Sequence, residues 1–183
     1  MRRLARLFSA LVLIALIGAA ALLWVRPAPP PARAPDQPPE IALSGPLDLI
    51  LIEKSARRLT LIQNGRCLRI WPIALGFSPT GDKSREGDGR TPEGSFTINR
   101  RNDHSSYHLS LGLDYPHEGD ITAAAAAGTS PGGDIMIHGQ PNSLPETLIV
   151  NGDWTAGCIA LTNAQMRAIW DHAPIGTRVE IRP

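Results

Sequence analysis

The dipeptide Asn64-Gly65, set between the β-rich runs Arg58 to Gln63 and Arg66 to Leu75, limits the fold of this chain more than any other feature. Both residues accept the positive φ that a two-residue hairpin turn demands, and the right-handed twist of paired strands favours that turn. The run Leu47 to Glu53 (LDLILIE) precedes the hairpin. Strand-like stretches follow at Ser95 to Asn99, Tyr107 to Leu113, Asp134 to His138 and Thr177 to Ile181, each bounded by Gly, Pro, Asn or Asp. The folded part is therefore expected to be mainly β. Two segments read as short helices: Asp120 is placed to cap the alanine run Ala123 to Ala127, and Thr162 with Gln165 forms a capping box that opens Asn163 to His172. In the second, Met166, Ile169 and Trp170 share a face suited to packing on a sheet. Between strands lies the polar loop Ser78 to Gly94 (SPTGDKSREGDGRTPEG), of a length that in compact domains is often functional.

The N-terminal residues follow another rule. Leu7 to Val25 runs without a charge, preceded by Arg2, Arg3 and Arg6 and followed by Arg26. As a helix this run would be roughly 28 Å long, close to the bilayer core, whereas a cleavable signal core is usually about 7 to 15 residues. Residues 1–26 are read as a signal-anchor, with a signal peptide as the alternative because Gly18 to Ala21 offer a processing site. The arginines ahead of the run put the N-terminus inside and the rest of the chain outside the cytoplasmic membrane, in the periplasm or its extracytoplasmic equivalent. Residues 27–46 are rich in proline and lack apolar periodicity, which makes them an extended linker able to span up to roughly 60 Å. Residues 47–183 remain for one domain. From Ile41 onward the chain carries 13 Lys and Arg against 15 Asp and Glu, a balance that argues against a nucleic-acid partner.

Chemistry concentrates in the last third. Ile137-His138-Gly139 closes an apolar strand, and Thr155-Ala156-Gly157-Cys158-Ile159-Ala160-Leu161-Thr162-Asn163 leads into the second helix. A thiol with a pKa of about 8.5 is mostly protonated at neutral pH, and an imidazole beside it can take the proton to give the thiolate that attacks an acyl carbon. Cys158 is therefore the candidate nucleophile and His138 its base. Gly157 would let the backbone approach a substrate, and the amides of Gly157 and Cys158 are candidates to hold an oxyanion. A backbone carbonyl at Gly139 could hold the imidazole in the required tautomer.

The pattern HG, a spacer, then T-x-G-C-I-x-L-x-N resembles the signature of L,D-transpeptidases with the YkuD-type catalytic domain, over roughly Leu47 to Pro183. Gly87 to Gly94 (GDGRTPEG) and Gly132 to Gly139 (GGDIMIHG) add to the likeness. The resemblance implies a β-sandwich-like fold with one or two short helices. It also implies a reaction on peptidoglycan stem peptides. A cysteine attacks the bond between the third residue, often meso-diaminopimelate, and the terminal D-alanine, and an amine then resolves the thioester. Neither metal nor organic cofactor is implied. Many members have His where Ala156 stands and Arg where Ala160 stands, so a second imidazole and a cation are missing from the motif. The version D-W-T-x-G-C-I-A-L-T-N, with Tyr107 to Leu113 (YHLSLGL), looks like the YafK-like branch, in which release of a wall-linked lipoprotein by hydrolysis is also known. Substrate contacts are assigned to Thr155, Arg101 and Trp154, with Arg90, Arg100 and Tyr107 as further candidates.

Blander readings stand beside these. Cys67, in a hairpin strand, reads as a buried structural thiol, and a disulfide to Cys158 would disable the nucleophile. His104 and His108 have the spacing of a helical zinc pair but fall where the chain reads as strand, so no metal site is assigned. Glu86, Asp88 and Glu93 read as solvated loop charges. The rivals to transpeptidation are a peptidoglycan amidohydrolase using the same Cys-His site and a non-catalytic wall-binding module.

Overall fold

The computed structural model describes residues 42–183. The signal-anchor expected at 1–26, and the linker up to residue 41, lie outside the described residues. Among the described residues, no helix is long and apolar enough to cross a membrane.

The described residues form eight strands and two helices. They are β1 (Leu49–Glu53), β2 (Arg58–Gln63), β3 (Arg66–Pro72), β4 (Gly94–Asn102), β5 (Ser110–Leu113), α1 (Glu118–Ala126), β6 (Met136–His138), β7 (Ile159–Ala160), α2 (Asn163–Trp170) and β8 (Arg178–Arg182). The hairpin forms where Asn64-Gly65 predicts it, with φ of 51° and 68° at the two turn residues. Its partners β2 and β3 are antiparallel, with a register shift between Leu61 and Ile62.

The strands form one sheet in the order β3-β2-β1-β8-β4-β5-β6-β7. Among the described strand pairs, β1 with β8 and β6 with β7 run parallel and the others antiparallel. β4 bends the sheet: Gly94 to Thr97 pair with β8, whereas Ile98 to Asn102 pair with β5 across a register shift. Such irregularities sharpen local twist and turn a strand from one sheet direction to another. The two ends then meet, because Ala74, just past β3, bridges Ala160 of β7, and Gly76 bridges Thr155. The sandwich-like arrangement expected from the family resemblance thus takes the form of one curled sheet.

Inside the curl lie Ile50, Ile52, Leu59, Leu61, Ile98, Leu111, Ile137 and Ile159, all fully buried. Helix α2 covers this core with Met166 and Ile169, each of which stabilises the fold by roughly 1.5–3 kcal/mol through removal of apolar surface from water. Its capping box is present: Gln165 N donates to Thr162 Oγ1 at 3.2 Å, and Thr162 N donates to Gln165 Oε1 at 3.0 Å. Helix α1 begins earlier than the alanine run suggests. Asp120 sits within its first turn and accepts the His117 N–H at 2.8 Å, so His117 holds the cap position expected of Asp120.

Candidate active site

Strand register decides which side chains share the site. Asn102 of β4, Ser110 of β5, His138 of β6 and Ala160 of β7 lie on one line across the sheet, and Arg100, Gly112 and Met136 lie on the next. Ile137 pairs in parallel with Ile159, so one step back along both strands sets Cys158 beside Met136. Side chains alternate faces along a strand, so these two lines share a face, and the line between them, Arg101, Leu111, Ile137 and Ile159, takes the opposite one. That opposite face is core at Leu111, Ile137 and Ile159. The first face opens into a cleft of about 810 Å³ whose walls include Arg100, Ser110, Asp134, His138, Trp154 and Cys158. His138 and Cys158 therefore enter one cleft as diagonal neighbours on adjacent strands.

The turn before Cys158 is organised by one hydroxyl. Thr155 Oγ1 accepts the Gly157 N–H at 3.1 Å and donates to the Cys158 carbonyl at 2.7 Å. Thr155 is itself fixed through Thr155 N to Leu75 O at 3.1 Å and Phe77 N to Thr155 O at 2.9 Å. The Gly157 amide is thus already committed, which corrects its expected role in an oxyanion hole. The Cys158 N–H has no partner among the described residues and remains the available donor. Gly157 is needed for another reason: at φ 139° a Cβ would be strained and would stand 2.7 Å from Arg90 O.

Cys158 Sγ lies 3.5 Å from Asp134 O. Burial pushes the thiol pKa above its ordinary range, while a hydrogen bond from the Met136 backbone lowers it; the Asp134 carboxylate raises it, and Lys83 and Arg100 oppose that. His138 is buried, and its Nδ1 lies 2.7 Å from Gly139 O. A carbonyl only accepts, so Nδ1 carries the hydrogen and Nε2 keeps its lone pair. Burial holds the imidazole pKa below its ordinary value, with the Gly139 bond acting against it. Tyr107 and Trp154 pack around the ring, with centroids 4.6 Å and 5.6 Å away. The Trp154 Nε1 is buried without a partner among the described residues.

Gly139 fits its position because a Cβ there would stand 2.6 Å from Asn163 Oδ1. That oxygen accepts the Gln140 N–H at 2.8 Å, and Gln140 Nε2 reaches Leu161 O at 2.7 Å. Asn163 and Gln140 therefore tie the segment after His138 to the segment after Cys158. The sequence marks Asn163 as a motif position and a helix start without giving it this bond, and Gln140 carries no local signal.

The loop 78–94 is a buttress. Asp88 accepts from Ser84 N, Arg85 N and Arg90 N, and pairs with Lys83 Nζ at 2.9 Å, both side chains being nearly fully buried. These partners, against the cost of burial, hold its carboxyl well below the usual range. Lys54 Nζ, also buried, binds Glu93 Oε1 at 2.8 Å and the carbonyls of Gly81 and Thr91. Thr91 Oγ1 accepts the Gly76 N–H at 3.1 Å beside the cysteine turn. Asp88 and Glu93 are thus structural partners of buried lysines and not the solvated charges expected, whereas Glu86 is exposed.

Arg101 is a second correction. It lies on the face away from the cleft, donating to Trp170 O and Ala173 O at 2.8 Å each, with its guanidinium carbon 3.9 Å from the Trp170 ring centroid. Strand alternation puts Arg100 in the cleft instead. Trp154 and Thr155 both reach the cleft wall. Cys67 and Cys158 are free thiols. His104 is beside Asp103, and His108 faces Arg167; among the described residues no group of three or more His, Cys, Asp and Glu converges on a metal position.

The sequence model of the L,D-transpeptidase catalytic domain, YkuD, matches residues 48–181, and the chain belongs to that family. Among solved structures it is similar to the helical cell shape determining protein Pgp2 from Campylobacter jejuni, at 25% identity and a TM-score of 0.56, over 75% of this chain and 48% of that one. A point mutant of Pgp2 matches at 24% identity and 0.58, over 76% and 48%. Bd1075 from Bdellovibrio bacteriovorus matches in fold at 21% identity and 0.50, over 75% and 48%. The chain spans about half the length of these structures. No curated protein matches its sequence.

Proposed function

We propose that this protein is a peptidoglycan L,D-transpeptidase held outside the cytoplasmic membrane by its N-terminal segment, with Cys158 as nucleophile and His138 as base. The observation that carries the reading is the shared cleft: register brings the two side chains to one face, and the Gly139 carbonyl leaves His138 Nε2 free to accept a proton. A raised thiol and a lowered imidazole mean that both groups rest neutral at pH 7.

His138 Nε2 takes the Cys158 proton as Sγ attacks the carbonyl carbon between the third stem residue and the terminal D-alanine. The oxyanion of the tetrahedral intermediate meets the Cys158 N–H. The imidazolium then protonates the leaving nitrogen, D-alanine departs, and a thioester remains. An acceptor amine gives a proton to His138 and attacks the thioester, the new amide forms, and Cys158 is released as the thiol. Water in place of the amine would make the same cycle a hydrolysis. The likeness to Pgp2, a helical cell shape determining protein, supports a role in shaping the wall.

The test is mass analysis of purified tetrapeptide muropeptides after incubation with wild type and Cys158→Ala. Wild type should release D-alanine and form crosslinked dimers, and the variant should do neither. Retained crosslinking in Cys158→Ala refutes the nucleophile; trimmed stems without new crosslinks replace transpeptidation by hydrolysis.

A further inference from the structure

Arg100 reaches the cleft from far across the sheet. Adjacent strands are about 4.8 Å apart, so its Cα on β4 stands about 14 Å from the line of Cys158, three strands away. The side chain crosses that distance over Gly112, where a Cβ would stand 2.5 Å from Arg100 Cγ and 2.7 Å from its Nε. Its Nη2 ends against Asp134 Oδ1 and 3.7 Å from Met136 Sδ. The guanidinium therefore sits over β6, about one strand from the nucleophile. Asp134 is closer still, since its backbone oxygen touches Cys158 Sγ at 3.5 Å. It adopts φ 55°, a conformation that Asp tolerates better than most residues.

Neither charge is used up. Arg100 Nε and Nη1 and Asp134 Oδ2 have no partner among the described residues, and the two side chains are 46% and 83% exposed. Exchanging an exposed ion pair of this kind for new partners costs little, because water already screens it. The cleft thus presents a cation and an anion side by side, next to the thiol, among walls that also include Met136, Tyr107 and Trp154 and the polar side chains of Asn102, His104 and Ser110. The ligand complementary to such a pair is itself a zwitterion.

We propose that Arg100 and Asp134 together read the zwitterionic far end of a diamino-dicarboxylic residue at the third stem position, Arg100 binding its carboxylate and Asp134 its ammonium. This rests on the reading of the site as an acyl transferase on stem peptides. The dimensions agree: four carbon–carbon bonds separate the α-carbon beside the reacting carbonyl from the distal centre, about 5 Å when extended, since each bond of about 1.5 Å advances a staggered chain by about 1.25 Å. That is the spacing of one strand, the step from Cys158 to the guanidinium. The bidentate geometry of Arg suits a carboxylate and not an amide. The site therefore favours the free diacid over its amidated form and over a lysine side chain, which offers only an ammonium.

The test uses the full chain and three purified disaccharide tetrapeptides, with meso-diaminopimelate, amidated diaminopimelate or lysine in third position. Wild type should release D-alanine from the free diacid with a kcat/KM at least about tenfold above the other two, the scale of one charge-assisted hydrogen-bond pair. Arg100→Gln should raise KM for the diacid and bring it to within about twofold of the amide. Asp134→Asn should weaken all three alike, since each bears the ammonium. Equal turnover of diacid and amide by wild type, or an equal loss on both in Arg100→Gln, overturns the recognition while leaving the enzyme class intact. Calorimetric binding to Cys158→Ala separates the two questions. Preference for the diacid that disappears on adding Arg100→Gln, with no turnover by wild type, refutes the transpeptidase and upholds the recognition. Absence of any preference in binding overturns the recognition.

Discussion

Replacing Thr155 by valine removes one hydroxyl and almost no volume, yet it should both loosen the fold and displace the Cys158 thiol, the proposed nucleophile. The hydroxyl accepts the Gly157 N–H at 3.1 Å and donates to the Cys158 carbonyl at 2.7 Å, in a residue only 5% exposed. Each buried polar group left without a partner costs about 1–3 kcal/mol. Two are orphaned here, and water in the adjacent cleft recovers part of that cost, so a loss of about 2 to 4 kcal/mol is expected. With a urea dependence of about 2 kcal/mol per molar, the unfolding midpoint should fall by roughly 1–2 M. The kinetic effect is larger than stability alone implies, because a shift of about 1 Å in a reacting group can cost on the order of 100-fold in rate. Acylation should be followed under conditions where the variant is fully folded, by the adduct mass formed with a carbapenem or by D-alanine release. Thr155→Ser keeps the hydroxyl and should retain most of the rate. A valine variant matching wild type in both midpoint and acylation rate would refute the assignment of this hydroxyl as the brace of the turn.

Two further outcomes follow from the geometry. Arg101→Gln removes the guanidinium that joins Trp170 O, Ala173 O and the Trp170 ring, and should cost about 1–3 kcal/mol in thermal or urea unfolding without altering acylation at a temperature where both proteins are folded; a selective rise in KM would return Arg101 to the substrate. Because burial raises the Cys158 thiol and lowers His138, the resting pair is neutral, so iodoacetamide alkylation of Cys158 should climb with pH through and above the ordinary thiol range; with Cys158→Ala as the control for Cys67, a fast plateau already reached at pH 5 would show a thiolate–imidazolium pair and contradict this.

What the sequence made legible was whatever local chemistry dictates. Asn64-Gly65 set a hairpin because few residues accept its φ values, and Thr162 with Gln165 set a helix start because the reciprocal bonds need only four residues. His138 and Cys158 stood out because each sits in a glycine-flanked motif. β7 was missed because two residues are too few for alternation to register, and it exists through pairing with β6 and the Ala74 bridge. Asp88 and Glu93 looked solvated because their lysine partners become visible only when the loop is folded onto the sheet. Choosing Arg101 over Arg100 was a question of strand phase. A one-residue step in register exchanges the two faces of a strand, and the shift between Ile98 and Arg100 removes the phase that Phe96 and Ile98 would otherwise have supplied.

The same topology changes what the alanines of the cysteine motif mean. Ala160 is His138's partner across β6 and β7 and is buried between that pairing and the Ala74 bridge, so the motif itself supplies no charge to the cleft. Positive charge arrives instead from β4, some sixty residues earlier, because Gly112 leaves a channel across β5 for the Arg100 side chain. Nothing in a linear motif reports such a substitution, since the residue that carries the charge and the glycine that lets it pass lie on β4 and β5, away from the segment that carries Cys158. On the proposed reaction, substrate choice is therefore to be read from the lines of register across the sheet and not from the residues flanking Cys158.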